Sequence, residues 1–546
     1  MKKYGIYTCF PPDVDLRHEG LGRYLAAFIK GAENNKNAKF VLLCPSWSLK
    51  DLEKLFESEN VPLDLVEIHA PKGEPVILKV YNTVKKLKEN KKKKQQGYLT
   101  RFIAKLKKVP NSLMRHFEKK ISRTYTIWGI LPIGVYALIF ISLIIMFLPI
   151  YIGVLAVSVL LRKSRILSLF TRLKIVIRRI STIFANPKND SLVLNLYDGM
   201  IQAETERMHE LVKEIKGVTA WYSPSAFWEE FTMLDAPRLM CVPDVVLTQF
   251  PTGFSQIGGE RFRYTFNKII RAINKNDYFV TYSNNVKHST LIDHFNIDEE
   301  NIFTVAHAPN RLDQWLEVIG FPDTKASSDF YAQQLMLVAL SKQKRTYVQG
   351  LGKDFKFIFY ASQARPNKNI ITLLKAYNYL LKEKFWGHKL ILTCKIDNLS
   401  SISDYIKENG LENDVLFLHG LSVQELSAFY KRADLAVNPT LSEGGCPFTF
   451  TEALSVGTPV IMSRIPVAEE VLTDPALQEM TFFDPLDWKC LADKILWAVD
   501  NLDELKTVQM QTYNQLIQRN WEDVVNEHID ALDAIADRTR VTYEHS

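Results

Sequence analysis

Two short stretches carry residue types suited to chemistry on an anion. In Ala364-Arg365-Pro366-Asn367-Lys368-Asn369 a planar guanidinium and a compact ammonium stand three positions apart, ahead of an amphipathic run through Ile370, Leu373, Leu374 and Tyr377. Such a pair can grip separate oxygens of a diphosphate without a metal; the plain alternative is two solvated cations before a helix. In the second stretch, Glu443-Gly444-Gly445-Cys446-Pro447 leads into Phe448-Thr449-Phe450-Thr451-Glu452. Glycines let backbone approach a ligand closely, and a helix starting after them offers free amides to phosphate. A simple turn is the alternative, and Thr449 to Glu452 also fits a capping box.

Weaker candidates lie nearer the N-terminus. Gly20 and Gly22 open a helical stretch after the first apolar run, where they serve a bound ligand or merely close strand–helix packing. Asp244, in Val242-Pro243-Asp244, either orients hydroxyls or caps a turn. His18 and His307 read as loop residues rather than bases.

These residues need a frame. Apolar runs at 3–9 and 39–44 flank a helical stretch from Gly20 to Gly31, and further runs follow at 192–196, 218–222, 238–242, 278–282 and 302–306. Amphipathic stretches at 200–215 and 261–275 separate them. A second series runs through 356–360, 389–393, 415–418, 435–438 and 459–462. Strand alternating with helix predicts parallel, doubly wound sheets, here two of them. The polar stretch 321–352, with its Pro-Asp turn, reads as a linker between them.

The stretch from Asn438 to Ile461 resembles the donor-site signature of the retaining nucleotide-sugar glycosyltransferases of family 4 (glycosyl transferases group 1). Glu19-Gly20-Leu21-Gly22-Arg23-Tyr24 is similar to that family's N-terminal glycine loop, and Ala364 to Asn369 to its phosphate-contacting segment. The resemblance implies an α/β GT-B fold, two Rossmann-like domains facing a cleft: 1–320 on the acceptor side, 353–520 on the donor side, and a terminal helix in 521–546, opening at Trp521, that returns to the first. It implies Arg365, Lys368 and Glu443 as catalytic residues, with Glu443 on the transferred sugar. Gly20, Gly22, Gly444, Gly445, Cys446 and Glu452 would bind the donor, Glu452 through the ribose, and Asp244 would stand on the acceptor side. Two departures are visible: the spacing from Glu443 to Glu452 is one residue longer than is usual, and the His of the family's His-Asp pair is Val242-Pro243 here. Asp13-Val14-Asp15 mimics the metal-binding pair of the other glycosyltransferase fold without its context, so no metal and no cofactor beyond a UDP- or GDP-sugar substrate is expected.

Composition bounds the rest. A chain of 546 residues, 47% hydrophobic and 24% charged, is mostly globular and too large for one core. Its six cysteines stand singly, which argues against a zinc or disulfide framework and suits a reduced, cytosolic setting. The N-terminal apolar run is too short for a signal peptide. The net charge is +7, yet residues 85–188 carry 23 Lys and Arg against Glu89 and Glu118, a local +21, leaving −14 elsewhere. Between Arg123 and Arg162 lie 38 uncharged residues, roughly 57 Å if helical against an apolar layer of about 30 Å. Pro149 near the middle predicts two arms, a membrane hairpin over about 126–161 within an insertion at 90–187. A buried helical hairpin or a single tilted span are its rivals. Basic flanks on both sides place both ends on the cytoplasmic face of the cell inner membrane. Charge gathered around an apolar block, rather than over the globular parts, argues against nucleic acid and for membrane lipids. The whole predicts a metal-independent retaining glycosyltransferase acting on a glycan acceptor, lipid-linked in bacterial polysaccharide assembly. A soluble acceptor is the nearest variant, and a catalytically inactive, nucleotide-sugar-binding membrane scaffold the alternative of another class.

Overall fold

The computed structural model describes residues 1–12, 14–35, 37–78, 123–125, 191–250, 252–254, 260–321, 323–395, 400–445 and 447–544. The hairpin expected at 126–161 lies outside the described residues. Among the described residues no helix is long and apolar enough to cross a membrane.

Two all-parallel sheets form the frame. The first orders its strands β3-β2-β1-β4-β5-β6-β7: β1 Lys2–Tyr7, β2 Ala38–Leu43, β3 Val66–His69, β4 Val218–Ser223, β5 Arg238–Cys241, β6 Tyr278–Thr281 and β7 Ile302–Thr304. The second is ordered β10-β9-β8-β11-β12-β13: β8 Phe357–Tyr360, β9 Lys389–Leu392, β10 Val415–Phe417, β11 Leu435–Asn438, β12 Val460–Ser463 and β13 Phe482–Phe483. Central strands such as Phe357-Ile358-Phe359-Tyr360 are buried along their whole length, because helices cover both faces of a parallel sheet. β1 precedes the long insertion and β4 follows it, yet they pair in parallel, Gly5 against Trp221 and Ile6 against Tyr222.

The helices that matter below are α1 Gly20–Lys30, α2 Ser191–Glu214, α3 Glu260–Asn274, α4 Thr324–Ser341, α5 Ile370–Glu383, α6 Val423–Arg432, α7 Phe448–Ser455 and α8 Trp521–Glu544. Two expectations are corrected. The run 192–196 is not a strand but part of α2, whose Met200, Ile201, Ala203 and Met208 keep an apolar stripe buried for two further turns. The stretch 321–352 holds α4 instead of a bare linker. Asp323 caps it, accepting from the Ala326 amide at 2.9 Å, and Met336, Ala339 and Leu340 join the core that contains Phe357 and Phe429. The terminal helix α8 buries Val525, Leu532 and Ile535 in the core of the first sheet, so the chain ends on the domain in which it began.

Each sheet reverses its strand order once, between β1 and β4 and between β8 and β11. Crevices at the carboxyl ends of strands beside such reversals are where open α/β sheets take ligands. The turns that follow β8 and β11 carry Arg365, Lys368 and Glu443, and the turn after β5 carries Asp244.

Candidate active site

The turns that follow β8 and β11 are laced together by hydrogen bonds. Asn367 is buried; its carbonyl accepts from the Leu441 amide at 2.7 Å and the Thr440 hydroxyl at 3.2 Å, while its side-chain amide donates to the Ser442 carbonyl at 3.3 Å. Asn369 adopts a left-handed conformation, φ 50°, that few side chains other than Asn tolerate. It is held there by donating to the Pro485 carbonyl at 2.8 Å and accepting from Thr372 Oγ1 at 2.7 Å. This frame brings Lys368 Nζ to 2.5 Å from Glu443 Oε1, with the two side chains 19% and 20% exposed. Arg365 is exposed at the head of the same turn.

Across from this pair stands the first sheet. A Cβ at Gly444 would strike the Pro243 carbonyl, and Ser283 donates to the Gly444 carbonyl at 3.0 Å. At Gly445 a Cβ would lie 2.8 Å from His307 Nε2 and 3.2 Å from Tyr282 Cβ. The space that these glycines leave is therefore filled by turns of the facing sheet. Asp244 follows directly on Pro243, and burial, then the Glu443 charge, pushes its carboxyl up to about 6, against the opposing pull of Lys368 and Arg365. The structure thus gathers Arg365, Lys368, Glu443, Gly444 and Asp244 around one cleft.

Glu452 sits apart from that group on α7, 7% exposed, where Asn310 Nδ2 donates to its Oε1 at 3.1 Å. No capping box forms: α7 already begins at Phe448 after Pro447, so Thr449 lies inside the helix. Cys446 lies outside the described residues, as do Asp13 and the side chain of His18. Gly22 packs on the turn before α1, where a Cβ would strike the Leu16 carbonyl, and this accounts for it without a ligand. A Cβ at Gly20 would meet nothing within 4 Å, so its surroundings are open.

Several cross-sheet contacts are not visible in the sequence. His307, read as a loop residue, lies against Phe448 with ring centroids 4.2 Å apart and edge-on to Tyr282 at 5.6 Å. Glu470 accepts from the Asn284 and Asn285 amides at 2.8 and 2.9 Å, a carboxylate of one domain at a helix start of the other. Arg519 donates twice to the Ala306 carbonyl, at 2.9 and 2.7 Å, and pairs with Glu527, joining the two chain segments that cross between the domains.

Two facing parallel sheets with a cleft lined by their carboxyl-end turns define an α/β fold of the GT-B kind. Comparison with known proteins agrees: residues 342–515 match the family Glycosyl transferases group 1. An O-antigen chain mannosyltransferase of Salmonella typhimurium is 29% identical over 34% of this chain and 49% of its own length. The O-antigen chain mannosyltransferase B of Escherichia coli is 28% identical over 32% of this chain and 45% of its own. The chain thus spans about half the length of the curated relatives it matches. Among solved structures, Anabaena HepE, in complex with UDP and glucose, superposes with a TM-score of 0.52 at 12% identity, covering 98% of this chain and 100% of that one. Staphylococcus aureus TarM gives 0.53 at 12% identity, with the same coverage. At such identity the likeness is one of fold.

Proposed function

We propose that the chain is a retaining glycosyltransferase that moves a hexose, mannose first among candidates, from a nucleotide sugar to a hydroxyl of a lipid-linked glycan. The observation that carries this reading is the meeting of Lys368 and Glu443 at 2.5 Å beside Arg365, opposite Asp244. Cleaving a sugar–phosphate bond leaves a diphosphate whose charge grows in the transition state, and fixed cations aimed at it lower the barrier most. Arg365 and Lys368 take that role, helped by the first amides of α7. In this reading Glu443 holds the transferred sugar and Asp244 orients an incoming hydroxyl. The departing phosphate oxygen takes the proton of the acceptor hydroxyl as that oxygen bonds to the anomeric carbon on the same face, so configuration is kept. Mannose comes from the names of the two O-antigen relatives.

The sequence of the insertion supports the acceptor and the location in this reading. Its basic flanks suit an anionic lipid surface at about 1 kcal/mol per well-placed Lys or Arg, and a hairpin over 126–161 would hold the cleft at the cytoplasmic face of the membrane. A polyprenyl-diphosphate-linked glycan is the acceptor that such a placement serves. The test is to incubate the full chain in detergent with GDP-mannose and with UDP- and dTDP-sugars, with and without lipid-linked glycan, and to measure nucleotide release and the anomer formed. Acceptor-dependent release with retained configuration supports the reading. Release from no donor, or an inverted product, sinks it.

A further inference from the structure

The segment leaving β7 for the second domain runs along α7 and is tied to it at successive points. The His307 ring lies on Phe448 at 4.2 Å, Asn310 Nδ2 donates to Glu452 Oε1 at 3.1 Å, and the Leu312 amide donates to Ser455 Oγ at 2.9 Å. Ser455 Oγ donates in turn to the Glu452 carbonyl at 2.7 Å. The carboxylate of Glu452 is thus gripped by the chain that joins the two sheets.

A glutamate carboxylate rotates freely about its last torsion, so a buried one needs a partner to fix its plane. Only the nitrogen of the Asn310 amide can face a carboxylate oxygen favourably, and being neutral it orients the group without cancelling its charge. The buried Tyr430 hydroxyl also meets this carboxylate, so with the Asn310 amide it takes up two of the four lone-pair sites and leaves two for further donors. Two adjacent hydroxyls, as on a ribose, match that remaining capacity.

We propose that Asn310 is a positioning residue for ribose recognition: from the crossover between the domains it sets the Glu452 carboxylate to accept the 2′- and 3′-hydroxyls of the donor nucleotide. This rests on the reading, stated above as implied by the family resemblance, that Glu452 takes the ribose. Because His307 and Leu312 hold the crossover on either side, removing the Asn310 amide deletes one hydrogen bond and leaves the segment in place.

The experiment is calorimetric titration of the full chain with UDP and GDP and with their 2′-deoxy and 3′-deoxy forms. For Asn310→Ala we expect the ribonucleotide to bind about tenfold more weakly, the effect of losing a hydrogen bond to a charged group, and the deoxy forms to change less than twofold. Asn310→Asp keeps the size but, ionised, cannot donate, and it should lose the ribose preference at least as fully. Ser455→Ala, which loosens the crossover without touching the carboxylate, should keep that preference. With donor in assay, KM should rise and kcat stay within about threefold, as for an interaction made equally in ground and transition states. An equal loss for ribo and deoxy forms, or no loss in either Asn310 variant, overturns the proposal alone. If the wild type itself does not distinguish ribose from deoxyribose, or Glu452→Gln leaves the distinction intact, the ribose reading of Glu452 falls and takes this inference with it.

Discussion

Lys368 and Glu443 face each other at 2.5 Å from turns that follow adjacent strands at the point where the second sheet reverses its order. Both are mostly buried, so each ion loses water and gains a partner, and the pair holds the ammonium at the cleft. Lys368→Ala and Arg365→Ala should each lower turnover by roughly 10²- to 10³-fold, the usual effect of losing one charge-stabilising donor. Glu443→Gln should lower kcat to a similar degree while nucleoside diphosphate affinity changes less than about tenfold, because its proposed partner is the sugar. Steady-state rates set beside calorimetric nucleotide binding check this; activity within twofold of wild type in both cation variants removes them from the site.

Glycine substitutions separate packing from ligand contact. At Gly444 a Cβ runs into the Pro243 carbonyl of the facing domain, and backbone cannot step aside cheaply. Gly444→Ala should therefore cost about 1–3 kcal/mol of stability and most of the activity by forcing the cleft apart. Gly20 has no neighbour within 4 Å of that position, so Gly20→Ala should leave the melting temperature nearly unchanged. A fall in activity at Gly20 without a fall in Tm would place the donor beside it; a destabilised Gly20→Ala would contradict the open surroundings.

Two groups give opposite pH signatures. Burial pushes His528 down to about 4, against an unfolded value near 6.5, despite the hydrogen bond its ring shares with the Val524 carbonyl at 2.7 Å. The unfolded chain binds the proton more readily, so stability is full above pH 6.5 and falls by about 3 kcal/mol as pH drops towards 4. Asp244 goes the other way. With a folded value of about 6 above an unfolded one near 3.9, its contribution is full below pH 4 and is lost as pH rises through 6. Urea unfolding across pH 4–8 should show a flatter acid limb in His528→Gln, and Asp244→Asn should be more stable than wild type at pH 7. An Asp244→Asn variant less stable than wild type at pH 7 would contradict the crowding of Asp244 against Glu443.

Much of the frame is legible because buried parallel strands are plain apolar runs, as at Phe357 to Tyr360. Two of the four outer strands escape notice: Val66–His69 is half polar and Phe482–Phe483 has two residues. The run at Leu192 shows the limit of local reading, since four apolar residues around Asn195 suit strand and helix alike and only the buried stripe through Met208 decides. In the cleft, Arg365, Lys368, Glu443 and the glycines stand out because their turns are local patterns. Ser283, His307, Asn310 and Glu470 do not, being ordinary polar residues whose importance arises only when one sheet's turns press on the other's.

That pressing together also constrains how the chain meets a membrane. β1 and β2 precede the 38-residue uncharged block and β4 follows it, but β1 pairs with β2 on one side and β4 on the other within one hydrogen-bonded sheet. A sheet shared across a bilayer would leave its ladder unpaired in lipid, at several kcal/mol per group. If the block at 126–161 enters the membrane, it must leave on the side where it entered, by two crossings or by a re-entrant path. Cysteines placed at the exposed positions Glu57 and Asp298, one from each side of the block, should then behave alike. With Cys446 and Cys490 replaced by serine, and the other cysteines buried, neither should react with a membrane-impermeant thiol reagent in intact cells, and both should react once the cells are opened. Labelling of one position alone in intact cells would require a single crossing, which the β1–β4 pairing forbids. Labelling of both in intact cells would move the whole catalytic unit to the outer face.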